Sequence, residues 1–198
     1  TIEAAFPPLA GQLPKDYGRF EGSVLEDMMK MFDAEGLRSA SGDVFGRIYE
    51  YFLAEFSKQG AHDGGEFFTP PSIVQTIVNV IEPDHGVSLD PACGSGGMFV
   101  QSSHFIEDAG QDTMKRATFY GHEKNETTAR LAQINLAAHG PEGTIRAGHE
   151  AITYYKDPHE LVGKCDFVMA NPPFNVDEVD AEKVKGDKRL PFGLPGVN

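Results

Sequence analysis

The sequence predicts an open α/β fold: a parallel sheet with helices on both faces, entered through a helical segment. Three observations support this. Apolar residues recur at helical spacing through the first 60 residues. From Gly64 onward, short apolar runs alternate with helical stretches in a β-α-β-α-β rhythm. Residues 165–170, CDFVMA, are almost wholly apolar after Asp166, as a central parallel strand requires. Such sheets bind ligands beyond the carboxyl ends of their strands, so those ends are the place to look for chemistry.

In chain order, Val24, Leu25, Met28, Met29 and Phe32 make the first helical stripe, ending near Gly36. Val44, Phe45, Ile48, Phe52 and Phe56 make the second, with Ser41 or Asp43 as its cap and Gly60 as its stop. Both stripes are expected to pack on each other or on the domain that follows. Ser72 is expected to cap a third helix carrying Ile73, Val74, Ile77, Val78 and Ile81, closed by Pro83. Residues 87–90 then read as a strand, 91–97 as a glycine-rich loop, 98–109 as a helix and 118–123 as a second strand. Residues 125–139 are strongly helical, with Leu131, Ile134 and Leu136 on the inner side, and 144–147 make a third strand. The expected division is a helical segment over 1–63 and a sheet domain over 64–198.

Composition narrows the class. The 198 residues hold 30 Asp+Glu against 17 Lys+Arg, a net charge of −13. With 40 % hydrophobic and 24 % charged residues, the chain has the balance of a folded protein rather than a disordered one. It contains no apolar run of the roughly 18 residues that a membrane helix needs. The opening TIEAAFPPLAG lacks the basic start and apolar run of a secretion signal, and it lacks an initiator Met, so a piece of a longer protein is expected. Cys93 and Cys165 form no CxxC pair, which argues against a disulfide framework or a zinc site and for a reducing cytoplasm. No metal ligand set is expected. The acidity opposes a free-standing nucleic-acid binder, because phosphate contacts need Lys and Arg.

The strand ends carry distinctive residues. The first runs into Asp90-Pro91-Ala92-Cys93-Gly94-Ser95-Gly96-Gly97, where glycines permit a tight turn and close approach to a ligand. A dinucleotide fingerprint would need a third glycine where Phe99 stands, and a phosphate-binding P-loop would need a Gly-Lys-Ser/Thr that is absent. Asp90 suits a ligand that presents donors or a cation, such as an amino-acid ammonium group. The second strand ends in Glu123, placed where a carboxylate accepts ribose hydroxyls in nucleoside-binding sheets. The last strand enters Asn171-Pro172-Pro173-Phe174, whose prolines end the ladder in a stiff turn bearing an amide and a ring.

DPACGSGG followed by NPPF, and preceded by GGEFFTPPS, resembles the amino-group methyltransferases that use S-adenosylmethionine. More narrowly, it resembles the modification subunit of type I restriction-modification systems, which methylates adenine in DNA at N(6). The likeness covers roughly residues 20–198, including the phrase DVFGRIYEYFLAEF. It implies a Rossmann-like S-adenosylmethionine-dependent methyltransferase sheet preceded by a helical segment. It also implies site roles. Glu66, Phe67, Phe68, Thr69, Pro70 and Pro71 would line the methionine end of the cofactor. Asp90, Gly94, Ser95, Gly96 and Gly97 would lie under its methionine and ribose, and Glu123 would accept from the ribose hydroxyls. Asn171, Pro172, Pro173 and Phe174 would form the catalytic turn.

The implied partners are double-stranded DNA, a specificity subunit that chooses the target, a second modification subunit and a restriction subunit. Two other readings stay open: methylation of another planar nitrogen (cytosine, RNA or a glutamine amide), and a non-catalytic assembly subunit. The family's sheet has further strands after the catalytic turn, whereas this chain stops at Asn198, so the piece is expected to be truncated there and inactive alone. Lys183, Lys185, Lys188 and Arg189, just past the turn, are a candidate DNA-side loop. The isolated acidic chain should bind DNA weakly, most phosphate contacts falling to its partner.

Overall fold

The computed structural model describes residues 2–5, 7–35, 44–60, 69–173 and 179–193. Ahead of the sheet lie α1 (Ile2–Ala5), a 3-10 turn (Pro7–Leu9), α2 (Gly22–Phe32) and α3 (Val44–Gly60). The α/β part contains α4 (Pro71–Ile81), β1 (Gly86–Asp90), α5 (Gly97–Asp108), α6 (Thr113–Arg116), β2 (Ala117–Glu123), α7 (Glu126–His139), β3 (Gly143–Ala147), β4 (Phe167–Val168) and α8 (Ala181–Val184). Among the described residues no helix is long and apolar enough to cross a membrane.

One expected helix start changes. Helix α4 starts at Pro71 with Pro70 as its N-cap, so Ser72 lies inside the first turn and is not the cap. A proline at the first position needs no partner for a missing N–H, which makes the start self-sufficient. The Ser72 carbonyl instead accepts the Thr76 hydroxyl at 2.7 Å. The proposed caps Ser41 and Asp43 lie outside the described residues.

The lead-in helices differ from each other. Helix α3 docks on the α/β part: the Tyr49 hydroxyl donates to the Leu131 carbonyl of α7 at 2.8 Å, and Leu53 is buried. Helix α2, expected to pack, buries none of its residues, and Met29 and Met31 are largely exposed. Its apolar stripe meets no core among the described residues.

The four parallel strands lie in the order β3-β2-β1-β4. Ser88 pairs with Phe119 on one side and Phe167 on the other, so these three share a face. On that face one cluster joins Phe99, Ile106, Phe119, Ala132 and Leu136, and a second joins Val74, Val78, Met98 and Met169. Helices α4, α5 and α7 therefore pack on this side. The opposite side is covered over β2 by an irregular stretch, from which His159 contacts the rings of Tyr120 and His122. Val168 on that side stays 57 % exposed.

Two further readings are corrected. The predicted strand over 165–170 is regular only at Phe167–Val168, and among the described residues it lies at the end of the sheet rather than the centre. The buried stripe of α7 is Thr128, Ala129, Ala132, Asn135 and Leu136, while Leu131 and Ile134 are only half-buried. Small residues bring α7 close to the glycine-rich loop: the Ala132 side chain would sit 3.5 Å from a Cβ placed on Gly96.

Candidate active site

Strand order sets the geometry. The chain passes from β1 outward to β2 and β3, then returns to place β4 on the far side of β1. The order thus reverses between β1 and β4, the crevice where open α/β sheets bind ligands. Asp90 ends β1, Glu123 ends β2, and Asn171 follows β4 by three residues, so all three sit along one carboxyl edge.

The loop after Asp90 is fixed from several sides. Asp90 Oδ1 accepts the Ala92 N–H at 3.0 Å. The Cys93 N–H donates to the His122 carbonyl at 3.0 Å. From α7, the buried Asn135 side chain donates through Nδ2 to the Ser95 carbonyl at 2.9 Å. The Thr153 hydroxyl donates to the Pro91 carbonyl at 2.6 Å. Gly96 closes the turn at φ 80°, a conformation strained for any side chain, and serves as N-cap of α5. Ser95 and Gly96 are buried, while Gly94 and Gly97 are partly open.

Two buried carboxylates border this loop. Asp90 is 2 % exposed, and burial pushes its pKa up to about 7, with the Glu123 charge adding to the rise and the Ala92 N–H opposing it. Glu123 is 7 % exposed and accepts the Asn125 N–H at 2.7 Å through Oε1. A buried carboxylate with a raised pKa is stabilised by a cation, and one at the end of β2 by hydroxyl donors. The ammonium or sulfonium and the ribose of S-adenosylmethionine supply those features, so the residues present fit that cofactor.

The turn after β4, the candidate catalytic turn, is built differently. Asn171, Pro172 and Pro173 are all exposed. Asn171 donates through Nδ2 to the Thr69 hydroxyl at 3.0 Å, linking the turn to the segment before α4 across 102 residues of chain. The donor side of the amide is thereby engaged, and its Oδ1 remains as an acceptor. Thr69 is half-buried, and Pro70 and Pro71 are exposed at the start of α4. Glu66, Phe67, Phe68 and Phe174 lie outside the described residues.

The family model described as N-6 DNA Methylase matches residues 40–197. The chain belongs to the N-6 DNA methylase family. Among curated relatives, it is 38 % identical over 164 residues to the type I restriction enzyme HindI methylase subunit of Haemophilus influenzae, which covers 83 % of this chain. It is 42 % identical over 152 residues to the type I restriction enzyme MjaIX methylase subunit of Methanocaldococcus jannaschii, covering 76 % of the chain. The chain spans 36 % and 26 % of those two proteins. Its fold matches that of a type I restriction-modification methyltransferase subunit from Streptococcus thermophilus, with a TM-score of 0.71 at 23 % identity, covering 88 % of this chain and 36 % of that one.

Other residues around the loop were not apparent from sequence. Asn135 was hidden inside a helix, its one signal being a polar residue on the apolar side of α7. His122 and Thr153 gave no signal, since neither belongs to a motif. Asp166, by contrast, is structural: its carboxylate accepts the Val87 N–H at 2.8 Å at the amino end of the sheet, opposite the carboxyl edge. It fills the space beside Gly86 (φ 71°), where a Cβ would collide with it. In the basic segment, Lys183 pairs with Asp180 at 3.2 Å, Lys185 with Glu182 at 3.8 Å and Arg189 with Asp187 at 2.6 Å.

Proposed function

We propose that this chain carries the cofactor-binding and catalytic edge of a methyltransferase acting on the exocyclic 6-amino group of adenine in double-stranded DNA. It would work as the modification subunit of a type I restriction-modification complex in the cytoplasm, with a specificity subunit, a second modification subunit and a restriction subunit as partners. Residues 1–63 would be its helical segment and 64–198 its methyltransferase domain. The observation that supports this reading is the row of Glu123, Asp90 and Asn171 along one carboxyl edge, with the glycine loop between strand and helix.

The bound cofactor supplies an electrophilic methyl group on a sulfonium. The chain's task is then alignment, since the adenine amine is a poor nucleophile with its lone pair delocalised into the ring. Asn171 Oδ1 accepts one amine N–H and the Pro172 carbonyl accepts the other. Together they orient the lone pair and stabilise the positive charge that develops on nitrogen. Asn171 is no base, so the proton leaves to water after transfer. The Thr69 hydroxyl holds the amide in the required sense by accepting from Nδ2. A base within a duplex cannot reach this turn and must be flipped out. Phe174 would stack on it, offsetting roughly 1–3 kcal/mol of the unstacking cost.

The test is transfer of labelled methyl groups by the complete enzyme with its specificity subunit, offered duplex DNA, RNA and protein. N(6)-methyladenine in the DNA is expected. Label confined to RNA, protein or cytosine overturns the substrate assignment, and absence of cofactor binding overturns the catalytic one.

A further inference from the structure

The irregular stretch after β3 contributes one side chain to the cofactor loop that no motif marks. The Thr153 hydroxyl has a single hydrogen, and it goes to the Pro91 carbonyl at 2.6 Å. The 2.9 Å contact between Thr153 Oγ1 and His122 Nδ1 therefore has the histidine as donor. That fixes His122 as the Nδ1–H tautomer. Burial holds its pKa down at about 4, with the neighbouring His159 contributing, so the ring is neutral. His122 is 1 % exposed, and its Nε2 has no hydrogen-bond partner among the described residues. The ring is held in place by His159, stacked at 5.2 Å, whose Nε2 lies 3.2 Å from the Gly121 carbonyl.

His122 also touches the loop directly, through its carbonyl and the Cys93 N–H. Pro91 and Cys93 are thus tied to one residue of β2, the first through Thr153 and the second by backbone. The far side of Thr153 is anchored as well. Its carbonyl accepts Arg189 Nη1 at 2.7 Å, and the Tyr154 carbonyl accepts Arg189 Nη2 at 3.3 Å. Arg189 is itself clamped by Asp187.

We propose that Thr153 is a positioning residue for cofactor binding: its hydroxyl joins His122 to the Pro91 carbonyl and holds the glycine-rich loop in its binding shape. The inference rests on the methyltransferase reading above. It is specific to the hydroxyl, because a valine would keep the shape while leaving the buried Nδ1–H without its acceptor.

The test is steady-state methylation by the complete complex, with S-adenosylmethionine varied at saturating DNA, for wild type, T153V and T153S. T153V should raise KM for the cofactor about tenfold, as expected for a buried group left unpaired, with kcat within about threefold. T153S should keep both within about twofold of wild type. An unchanged KM in T153V overturns the proposal, as does equal loss in T153S, which would assign the effect to the methyl group. Failure of T153V to assemble overturns it too, by making the hydroxyl a folding requirement. Calorimetric titration of S-adenosylmethionine needs no DNA. A wild type that binds cofactor but methylates nothing therefore fails the methyltransferase reading, while the Thr153 comparison is still read from Kd.

Discussion

The glycine-rich loop after Asp90 and the turn at Asn171 lie along one edge of the same sheet but are held by different means. The loop after Asp90 is buried at Ser95 and Gly96 and tied by Ala92, His122, Asn135 and Thr153. The turn at Asn171 is exposed and joined to its surroundings by the Thr69 contact. A loop fixed this way needs little reordering when a small molecule binds, which lowers the cost of binding. On the proposed function, an exposed turn suits a substrate base that must be delivered from a duplex. The two regions should therefore fail in different ways when altered.

Asn171→Ala should give the largest effect. Single-turnover methylation by the complete complex should fall by about a thousandfold or more, the loss of a preorganised acceptor. Asp90→Asn should weaken cofactor binding about tenfold at pH 8 and remove its pH dependence. In the wild type, Asp90 is protonated below its pKa of about 7 and must ionise to meet a cation. Affinity should then rise about tenfold from pH 6 to pH 8, one proton being released on binding. The same shift has the opposite sign for the cofactor-free fold. A carboxyl raised above its unfolded value binds more protons when folded, so its contribution to stability falls between about pH 4 and pH 7. Denaturant titrations across that range check it.

Thr69→Val should reduce kcat about fivefold through a loosened Asn171, with cofactor Kd unchanged, as separate kinetic and calorimetric measurements will show. Asp166→Ala gives the smallest functional effect. At the amino end of the sheet it should lower the unfolding free energy by about 1–2 kcal/mol, with KM and kcat at wild-type values. A kinetic effect there would blur the distinction between ligand edge and structural edge.

Much of this layout was legible in sequence because strand ends are marked by backbone chemistry. Glycines at 94, 96 and 97 and prolines at 172 and 173 announce turns, and Asp90 and Glu123 stand at positions that periodicity locates. Side-chain contacts between distant segments were not legible. Thr153 sits in an irregular stretch with no period, and its partners lie 31 and 62 residues away. The packing of α4, α5 and α7 on one face depends on register, which an apolar strand pattern does not reveal. Helix α2 misled for the opposite reason: a clear apolar stripe shows what a helix can bury, not what it meets.

Calorimetric titration of S-adenosylmethionine into the Asn171→Ala complex tests the separation of the two regions most directly. A Kd within about threefold of wild type, with no detectable methyl transfer, is the predicted result, the cofactor loop being held without help from the turn. A Kd weakened as much as in Asp90→Asn would contradict it.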